Sequence, residues 1–157
     1  MSILLDRSEP LSSAEFAIID ADRMDEVALH ATFQPETAGG IPLGPRELHV
    51  WAVSLHGDPE PYAALLSPSE VLRLDRFRFA DHRRRYQIGH GALRAILGGY
   101  LDKDPESLEF VHGPRGKPYL SGQGLFFNLS HSGKLALIGV CASEVGIDCE
   151  KVRHLES

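Results

Sequence analysis

The sequence has few of the features that mark secreted, membrane-bound or zinc-containing proteins. It contains no run of about 18 apolar residues, and its start, MSILLDRSEP, lacks the basic region of a secretory signal. We therefore expect no membrane span and a cytoplasmic location. The two cysteines, Cys141 and Cys149, lie in apolar, strand-like surroundings, and no C-x-x-C or H-E-x-x-H spacing supports zinc. We interpret them as buried thiols, with a disulfide or a metal pair as the alternative.

Basic residues are scarce in the first part of the chain and concentrated in the second. Residues 1–70 hold 12 acidic and 3 basic residues, whereas residues 71–157 hold 10 acidic and 13 basic ones. Many of the basic residues fall in RLDRFRFADHRRR, at positions 73–85. Such a run is either a solvated helix face or an anion-binding surface. Because it is short and lacks a nucleic-acid motif, we expect no nucleic-acid partner and favour a phosphorylated small molecule or an acidic protein.

The N-terminal third is predicted to differ from the rest of the chain. Residues 1–46 are acidic and become rich in Pro and Gly, which indicates an N-terminal extension with one short helix near residues 22–29. The folded domain is predicted over residues 47–157. It begins with a strand, ELHVWAVSL, whose residues are β-branched, aromatic and bounded by turn residues.

Two helices are predicted after this strand. SPSE at positions 67–70 can begin the first, with Ser67 as N-cap and Glu70 closing a capping box. That helix should bury its apolar residues Val71, Leu72 and Leu74. Asp81 can cap a second helix that reaches about Tyr100 and buries one stripe formed by Tyr86, Leu93, Leu97 and Tyr100. Gly89 and Gly91 inside it suggest close packing against another element or a ligand.

The remaining strands predict the fold class. GLFFNLS and KLALIGVCA read as strands, and VGIDCE reads as the hairpin partner of the latter. The order of strand, two helices and antiparallel strands indicates an α+β fold, with helices packed on one face of a mostly antiparallel sheet.

Polar residues at the end of this region could bind a metal. In VGIDCE, Asp148 and Glu150 share a strand face with Gly146, because side chains alternate along a strand. Two carboxylates on one strand make a half-site for Mg²⁺, which completes its shell with water and phosphate. A solvent-facing edge with two acids explains the spacing equally well.

Other polar residues could meet a phosphate. In FNLSHS, Ser130 shares a face with Asn128, whereas His131 points the other way, so Ser130 and His131 are a poor nucleophile–base pair. No G-x-S-x-G turn is present, and we exclude a serine hydrolase. The motif is either a turn or a phosphate-binding loop. Lys117 before Pro118 and Arg85 in the basic run are further phosphate candidates.

The order of these motifs resembles the 4′-phosphopantetheinyl transferases of the surfactin-synthetase-activating type. It runs from SPSEVLRLDRFRFADHRRRYQIGHGALR through GKP and FNLSHS to GIDCEK, over about residues 47–153. The resemblance implies that these residues are the N-terminal half of a pseudo-dimeric fold. It implies that the protein binds coenzyme A and Mg²⁺. The whole enzyme would transfer 4′-phosphopantetheine to a serine of an acyl or peptidyl carrier protein, in fatty-acid, polyketide or nonribosomal peptide synthesis.

Site residues follow from the resemblance position by position. The residues expected to hold coenzyme A, largely through its phosphates, are Arg73, Arg85, Lys117 with Pro118, Ser130 and His131. Asp148 and Glu150 are the expected metal ligands and catalytic residues. The implied chemistry is attack of the carrier serine hydroxyl on the β-phosphorus of the coenzyme A pyrophosphate, which releases 3′,5′-ADP.

One part of the family pattern is missing. The second half of such enzymes carries a W-x-x-K-E motif whose glutamate completes the metal site, but this sequence has no Lys-Glu dipeptide, and its single Trp51 lies in an early strand. We therefore expect this chain to be an N-terminal half that is inactive by itself. It would self-associate or pair with a C-terminal half. The alternative is a non-catalytic coenzyme A-binding module of a split or truncated enzyme.

Overall fold

A computed structural model describes the backbone of residues 3–5, 26–30 and 40–151 and the side chains of residues 40–149. The strands of these ranges are β1 (Ile3–Leu5), β2 (Glu26–His30), β3 (Glu47–Ser54), β4 (Val111–His112), β5 (Pro118–Tyr119), β6 (Phe126–Ser132), β7 (Leu135–Cys141) and β8 (Cys149–Lys151). The helices are α1 (Pro68–Leu74) and α2 (Ala80–Leu101), with short 3-10 helices at Glu60–Leu65 and Pro105–Ser107.

Four of the described strands form one sheet in the order β2-β3-β7-β6. β7 is antiparallel to both of its neighbours, whereas β2 runs parallel to β3. The α+β prediction is confirmed. The predicted hairpin between β7 and VGIDCE is wrong: β8 pairs with β1, in parallel. The reason is that both edges of β7 are already hydrogen-bonded, one to β3 and the other to β6.

The helix predicted near residues 22–29 is also wrong where it can be checked. Residues 22–25 lie outside the described part of the chain, and Glu26–His30 is a strand. A ladder with β3, from Glu26 opposite Glu47 to His30 opposite Trp51, satisfies the backbone of this strand. Tertiary pairing of this kind overrides the weak helix propensity of a short segment.

Helix α1 begins as predicted from the sequence, but the residues that it buries differ from the prediction. Ser67 caps the helix and forms the predicted capping box with Glu70. Leu74 is buried, whereas Val71 is 41% and Leu72 is 65% exposed, so the inward prediction for these two is wrong. A two-turn helix buries one narrow stripe, which here contains Glu70 and Leu74 at a spacing of four residues.

Helix α2 begins two residues earlier than predicted. Its N-cap is Phe79, without a side-chain cap, and Asp81 lies inside the first turn. There the Asp81 carboxylate forms an ion pair with Arg85, with 2.6 Å between Asp81 Oδ2 and Arg85 Nη2. Asp81 is therefore a first-turn acid, which is favourable near a helix N-terminus, and not the cap.

Two apolar clusters lie on the two faces of the main sheet. Helix α2 contributes Ile88, Leu93 and Leu97 to the cluster that contains Trp51 and Ile138. The second cluster lies on the opposite face and consists of Leu48, Val50, Ala52, Leu135, Leu137, Cys141, Val145, Ile147 and Cys149. The helices thus pack on one face, as predicted. Both cysteines are buried free thiols. Within the described residues, no helix is long and apolar enough to cross a membrane.

Candidate functional site

Three predicted site residues, Arg73, Arg85 and His131, line one cavity of about 340 Å³, which we call the arginine pocket. Its complete lining is Leu55, Arg73, Phe77, His82, Arg85, Tyr86, Gly89, His90, Leu129, His131 and Ala136. None of these described lining residues carries a carboxylate. Two guanidinium groups and imidazoles on apolar walls make a local field that attracts anions. The arginine pocket can therefore bind a phosphate group.

Arg85 is already engaged in a weak contact. Its Nη2 lies 2.6 Å from the Asp81 Oδ2, and the Asp81 side chain is half exposed. Exposed ion pairs of this kind contribute only about 0 to 1 kcal/mol, because water and salt screen them. A dianionic phosphate can displace Asp81 and take a bidentate contact from the guanidinium. Arg84, the neighbouring residue, lies 3.7 Å from the same carboxylate but outside the arginine pocket.

A second cavity, of about 900 Å³, adjoins the arginine pocket. The two share Arg73, Phe77, Tyr86 and His90 in their linings, and Pro118 lines the larger one. The Tyr86 ring stacks on His90 with 4.0 Å between centroids, and the Arg73 guanidinium lies 5.6 Å from the Tyr86 centroid. Burial and the Glu70 charge raise the pKa of Tyr86, so its phenol stays neutral. The shared wall is therefore aromatic, with a cation above it.

A buried ion pair between Glu70 and Arg94 holds the aromatic wall of the larger cavity in place. Arg94 Nε donates to Glu70 Oε2 at 2.5 Å, and His90 Nδ1 lies 3.4 Å from Glu70 Oε1. Burial alone would raise the pKa of Glu70. Hydrogen bonds from His90, from the Ser67 backbone and from Arg94 outweigh burial and lower this pKa to about 2. Glu70 is therefore ionised at neutral pH and ties α1 to α2.

Three other predicted residues, Lys117, Ser130 and Asp148, meet at residues 145–149, which we call the carboxylate segment. Lys117 Nζ donates to the Val145 carbonyl oxygen at 2.8 Å, and the Cys149 amide donates to Ser130 Oγ at 2.9 Å. The exposed Asp148 carboxylate accepts from the Cys149 amide at 3.0 Å and faces Ser130 Oγ at 3.5 Å. Lys117 thus contacts this segment at Val145, Ser130 lies beside Asp148, and neither residue lines the arginine pocket.

Strand β6 joins the two parts of the site. Ser130 reaches the carboxylate segment on one side of the strand, and His131 lines the arginine pocket on the other. Asn128 shares the side of Ser130, since its Oδ1 accepts from the Ile147 amide at 2.6 Å. The predicted alternation of Asn128, Ser130 and His131 is confirmed. FNLSHS is neither the turn nor the loop that the sequence analysis offered, because all six of its residues belong to β6.

The carboxylate segment offers oxygen ligands of the kind that Mg²⁺ prefers. Asp148 is exposed, and Glu150 lies two residues further on, in β8, with its side chain outside the described atoms. The described residues contain no group of three or more His, Cys, Asp or Glu side chains that could hold a metal. Mg²⁺ usually takes only one or two protein carboxylates and completes its shell with water and substrate phosphates. Among the described side chains of this segment, Asp148 therefore offers one carboxylate ligand of the kind that Mg²⁺ takes.

Two features of the site have no counterpart in the sequence analysis. The first is the Glu70–Arg94 pair, whose partners lie 24 residues apart in the chain and meet only when α1 packs on α2. The second is the bond from Ile147 to Asn128. Its signal was present in the i, i+2 spacing of Asn128 and Ser130, which places both on one strand face.

Comparison with known proteins gives the family. Residues 54–144 match the model of the N-terminal part of the 4′-phosphopantetheinyl transferases. The chain belongs to this family. It is 44% identical over 115 residues to the 4′-phosphopantetheinyl transferase HetI of Nostoc sp. This alignment covers 68% of this chain and 48% of that protein. It is 25% identical over 97 residues to the 4′-phosphopantetheinyl transferase Sfp of Bacillus subtilis, which covers 61% of this chain and 43% of that protein.

The match is confined to part of the relatives. The chain spans about half the length of these curated relatives or less, with 48% of the Nostoc protein and 43% of the Bacillus protein aligned. The match to the family model ends at residue 144, just before the carboxylate segment. Both helices and the arginine pocket fall inside the matched range, whereas Asp148 lies beyond it.

Proposed function

We propose that this chain is the coenzyme A-binding half of an Mg²⁺-dependent 4′-phosphopantetheinyl transferase that modifies a serine of an acyl or peptidyl carrier protein. One observation carries the proposal: Arg73 of α1, Arg85 of α2 and His131 of the distant strand β6 line a single pocket without described acidic residues. Coenzyme A carries a 3′-phosphate and a pyrophosphate, which such a pocket can bind. Family membership gives the reaction class.

The residues of the chain would bind and orient the substrate. Arg73, Arg85 and His131 would hold coenzyme A phosphates, and the aromatic wall of the larger cavity offers apolar surface for the rest of the molecule. Asp148 and Glu150 would hold Mg²⁺, which would neutralise charge on the pyrophosphate. In the reaction, a new P–O bond forms between the carrier serine oxygen and the β-phosphorus, and the bridging P–O bond breaks to release 3′,5′-ADP. Positioning and charge stabilisation account for such catalysis.

Arg85→Ala is expected to weaken coenzyme A binding by about tenfold, because one charged phosphate contact contributes roughly 1.5 to 3 kcal/mol before competition with Asp81 is subtracted. Arg84→Ala is the matched control. It removes the same charge from the preceding residue of α2. Arg84 contacts the same Asp81 but lies outside the arginine pocket. Calorimetric titration with coenzyme A measures both. Equal affinities for the two variants would contradict phosphate binding in this pocket.

The alternative is a module that binds coenzyme A without chemistry of its own. The absence of a Lys-Glu dipeptide from the sequence favours it for residues 1–157 tested alone. We expect no phosphopantetheine mass gain when this chain is incubated with coenzyme A, Mg²⁺ and an apo carrier protein, as measured by intact mass spectrometry. A robust gain would contradict this expectation. Restored transfer on adding a separate second half would distinguish a split enzyme from a regulatory binder.

A further inference from the structure

The carboxylate segment runs beside β6 without forming a strand ladder with it, and only its last residue, Cys149, pairs with another strand, β1. Residues 144–148 have no regular secondary structure, yet two of the segment's amides are paired with side chains of β6. The Ile147 amide donates to Asn128 Oδ1 at 2.6 Å, and the Cys149 amide donates to Ser130 Oγ at 2.9 Å. Asn128 and Ser130 therefore take the place of the backbone carbonyls that a neighbouring strand would supply.

A glycine opposite Asn128 receives the Ile147 side chain. Gly139 of β7 is the direct cross-strand partner of Asn128. A Cβ added at Gly139 would overlap Ile147 Cδ1 and lie 2.8 Å from Ile147 Cγ1, so any other residue here must displace the Ile147 side chain. Ile147 is 6% exposed and belongs to the apolar cluster on this face of the sheet.

Asn128 and Gly139 thus hold the same residue at two points, its backbone amide and its side chain. We propose that these two residues form a seat for Ile147 and are positioning residues, which fix the neighbouring Asp148 beside Ser130. An aspartate next to a buried, hydrogen-bonded residue loses little further conformational freedom when it binds a ligand, which is the advantage of preorganisation. The consequence for metal and coenzyme A binding rests on the proposed function, whereas the placement of Ile147 does not.

The hydrogen bond is tested by exchange of the Ile147 amide, measured by NMR against the core amide of Ile138. Asn128→Leu keeps the approximate size but removes the acceptor, and the Ile147 amide is expected to exchange about five- to tenfold faster relative to Ile138. Asn128→Asp retains an oxygen at the same position and is expected to restore protection. Unchanged exchange in Asn128→Leu, or faster exchange in both variants, would overturn the role of Asn128.

The glycine is tested by a double-variant cycle on the melting temperature. Gly139→Ala and Ile147→Ala are each expected to lower it by several degrees, the first by overpacking and the second by a cavity. The double variant is expected to melt higher than the sum of the two losses predicts, because the new methyl group occupies the space that Ile147 vacates. Gly57→Ala is the control, since a Cβ there meets nothing within 4 Å. Additive losses, or a Gly139→Ala protein as stable as Gly57→Ala, would overturn the seat.

A third measurement connects the seat to the site. Mn²⁺ binding in the presence of coenzyme A, followed by electron paramagnetic resonance, is expected to weaken about tenfold in Asn128→Leu. Coenzyme A affinity without metal is expected to stay unchanged, because the arginine pocket lies on the other side of β6. If the parent chain binds neither Mn²⁺ nor coenzyme A while the exchange results hold, the proposed function fails and the seat remains. If Mn²⁺ affinity is the same in Asn128→Leu and the parent, Asn128 does not position Asp148.

Discussion

Replacing Arg94 by alanine is expected to lower the free energy of unfolding by about 3 to 5 kcal/mol, the range typical of breaking a buried ion pair by removing one partner. Arg94 is 2% exposed. Its Nε donates to Glu70, and its Nη1 donates to the carbonyl oxygens of Pro105 at 2.9 Å and Leu108 at 2.8 Å. The guanidinium also lies 4.8 Å from the Phe110 ring centroid. Alanine would leave a buried carboxylate and two carbonyls without these donors. Urea unfolding followed by circular dichroism measures the loss.

Arg84→Ala is the control for Arg94→Ala. Arg84 is an arginine of the same helix whose ion pair with Asp81 is exposed, so its removal is expected to change stability by less than about 0.5 kcal/mol. If both variants unfold at the same urea concentration, the Arg94 network does not stabilise the fold as argued. Arg94→Lys is expected to restore only part of the loss, because an ammonium cannot reproduce the planar fork of the guanidinium.

The pH dependence of stability is expected to provide a second test of the Glu70–Arg94 ion pair. The folded-state pKa of Glu70, about 2, lies below its ordinary value of 4.5, so ionised Glu70 stabilises the fold above about pH 4.5. That contribution is lost as the pH falls from about 5 toward 2. In Arg94→Ala the pKa of Glu70 rises, and protonation then relieves an uncompensated buried charge. The stability gap between parent and variant is therefore expected to narrow as the pH falls through this window. If the difference in unfolding free energy between parent and Arg94→Ala grew as the pH fell, Glu70 would not be the ionised partner of Arg94.

The sequence predicted features whose cause is local. The capping box of Ser67 and Glu70 depends on residues three positions apart, and the helix start followed from it. The alternation of Ser130 and His131 depends only on the period of a strand, and it correctly placed them on opposite sides of β6. The α+β fold class was also predicted correctly, because it depends on the order of strands and helices along the chain, and each of these elements was predicted from its own residues.

Long-range pairings could not be read in the same way. VGIDCE has the composition of a strand, but whether it joins β7 depends on which edges of β7 are free, and that is decided by β3 and β6. The inward prediction for Val71 and Leu72 failed for a related reason. A short helix has no periodicity long enough to show its buried face, so the position of α2 decides which residues are covered.

The fold also divides the predicted site residues between two places, the arginine pocket and the carboxylate segment. The resemblance grouped Arg73, Arg85 and His131 with Lys117, Pro118 and Ser130 as coenzyme A contacts, and the fold brings the first three to one pocket from α1, α2 and β6. Ser130 was predicted to lie beside phosphates, but its hydroxyl accepts the Cys149 amide. It also lies 3.5 Å from the Asp148 carboxylate, so it can still face a phosphate held there. A polar residue in a binding motif can thus serve first to place the neighbouring ligand residue.

Gly91→Ala and Gly89→Ala are expected to change stability in opposite directions, although the two glycines lie two residues apart in α2. A Cβ at Gly91 would lie 2.5 Å from Tyr62 Cβ and 3.0 Å from Tyr62 Cδ1. Because Tyr62 Cβ is fixed to its backbone in the 3-10 helix, no change of rotamer relieves this contact. Gly91→Ala is therefore expected to destabilise by about 1 to 3 kcal/mol, the usual cost of overpacking.

Gly89 is the matched control for Gly91. A Cβ there would lie 3.7 Å from Leu55 Cδ2, an ordinary van der Waals contact, so Gly89→Ala is expected to stabilise by about 0.5 to 1 kcal/mol through helix propensity. Differential scanning calorimetry of both variants measures the two shifts. If Gly91→Ala also melts above the parent, the close approach of α2 to the 3-10 helix is absent. That approach matters for the site, because Gly89 and the neighbouring His90 line the arginine pocket from the same helix.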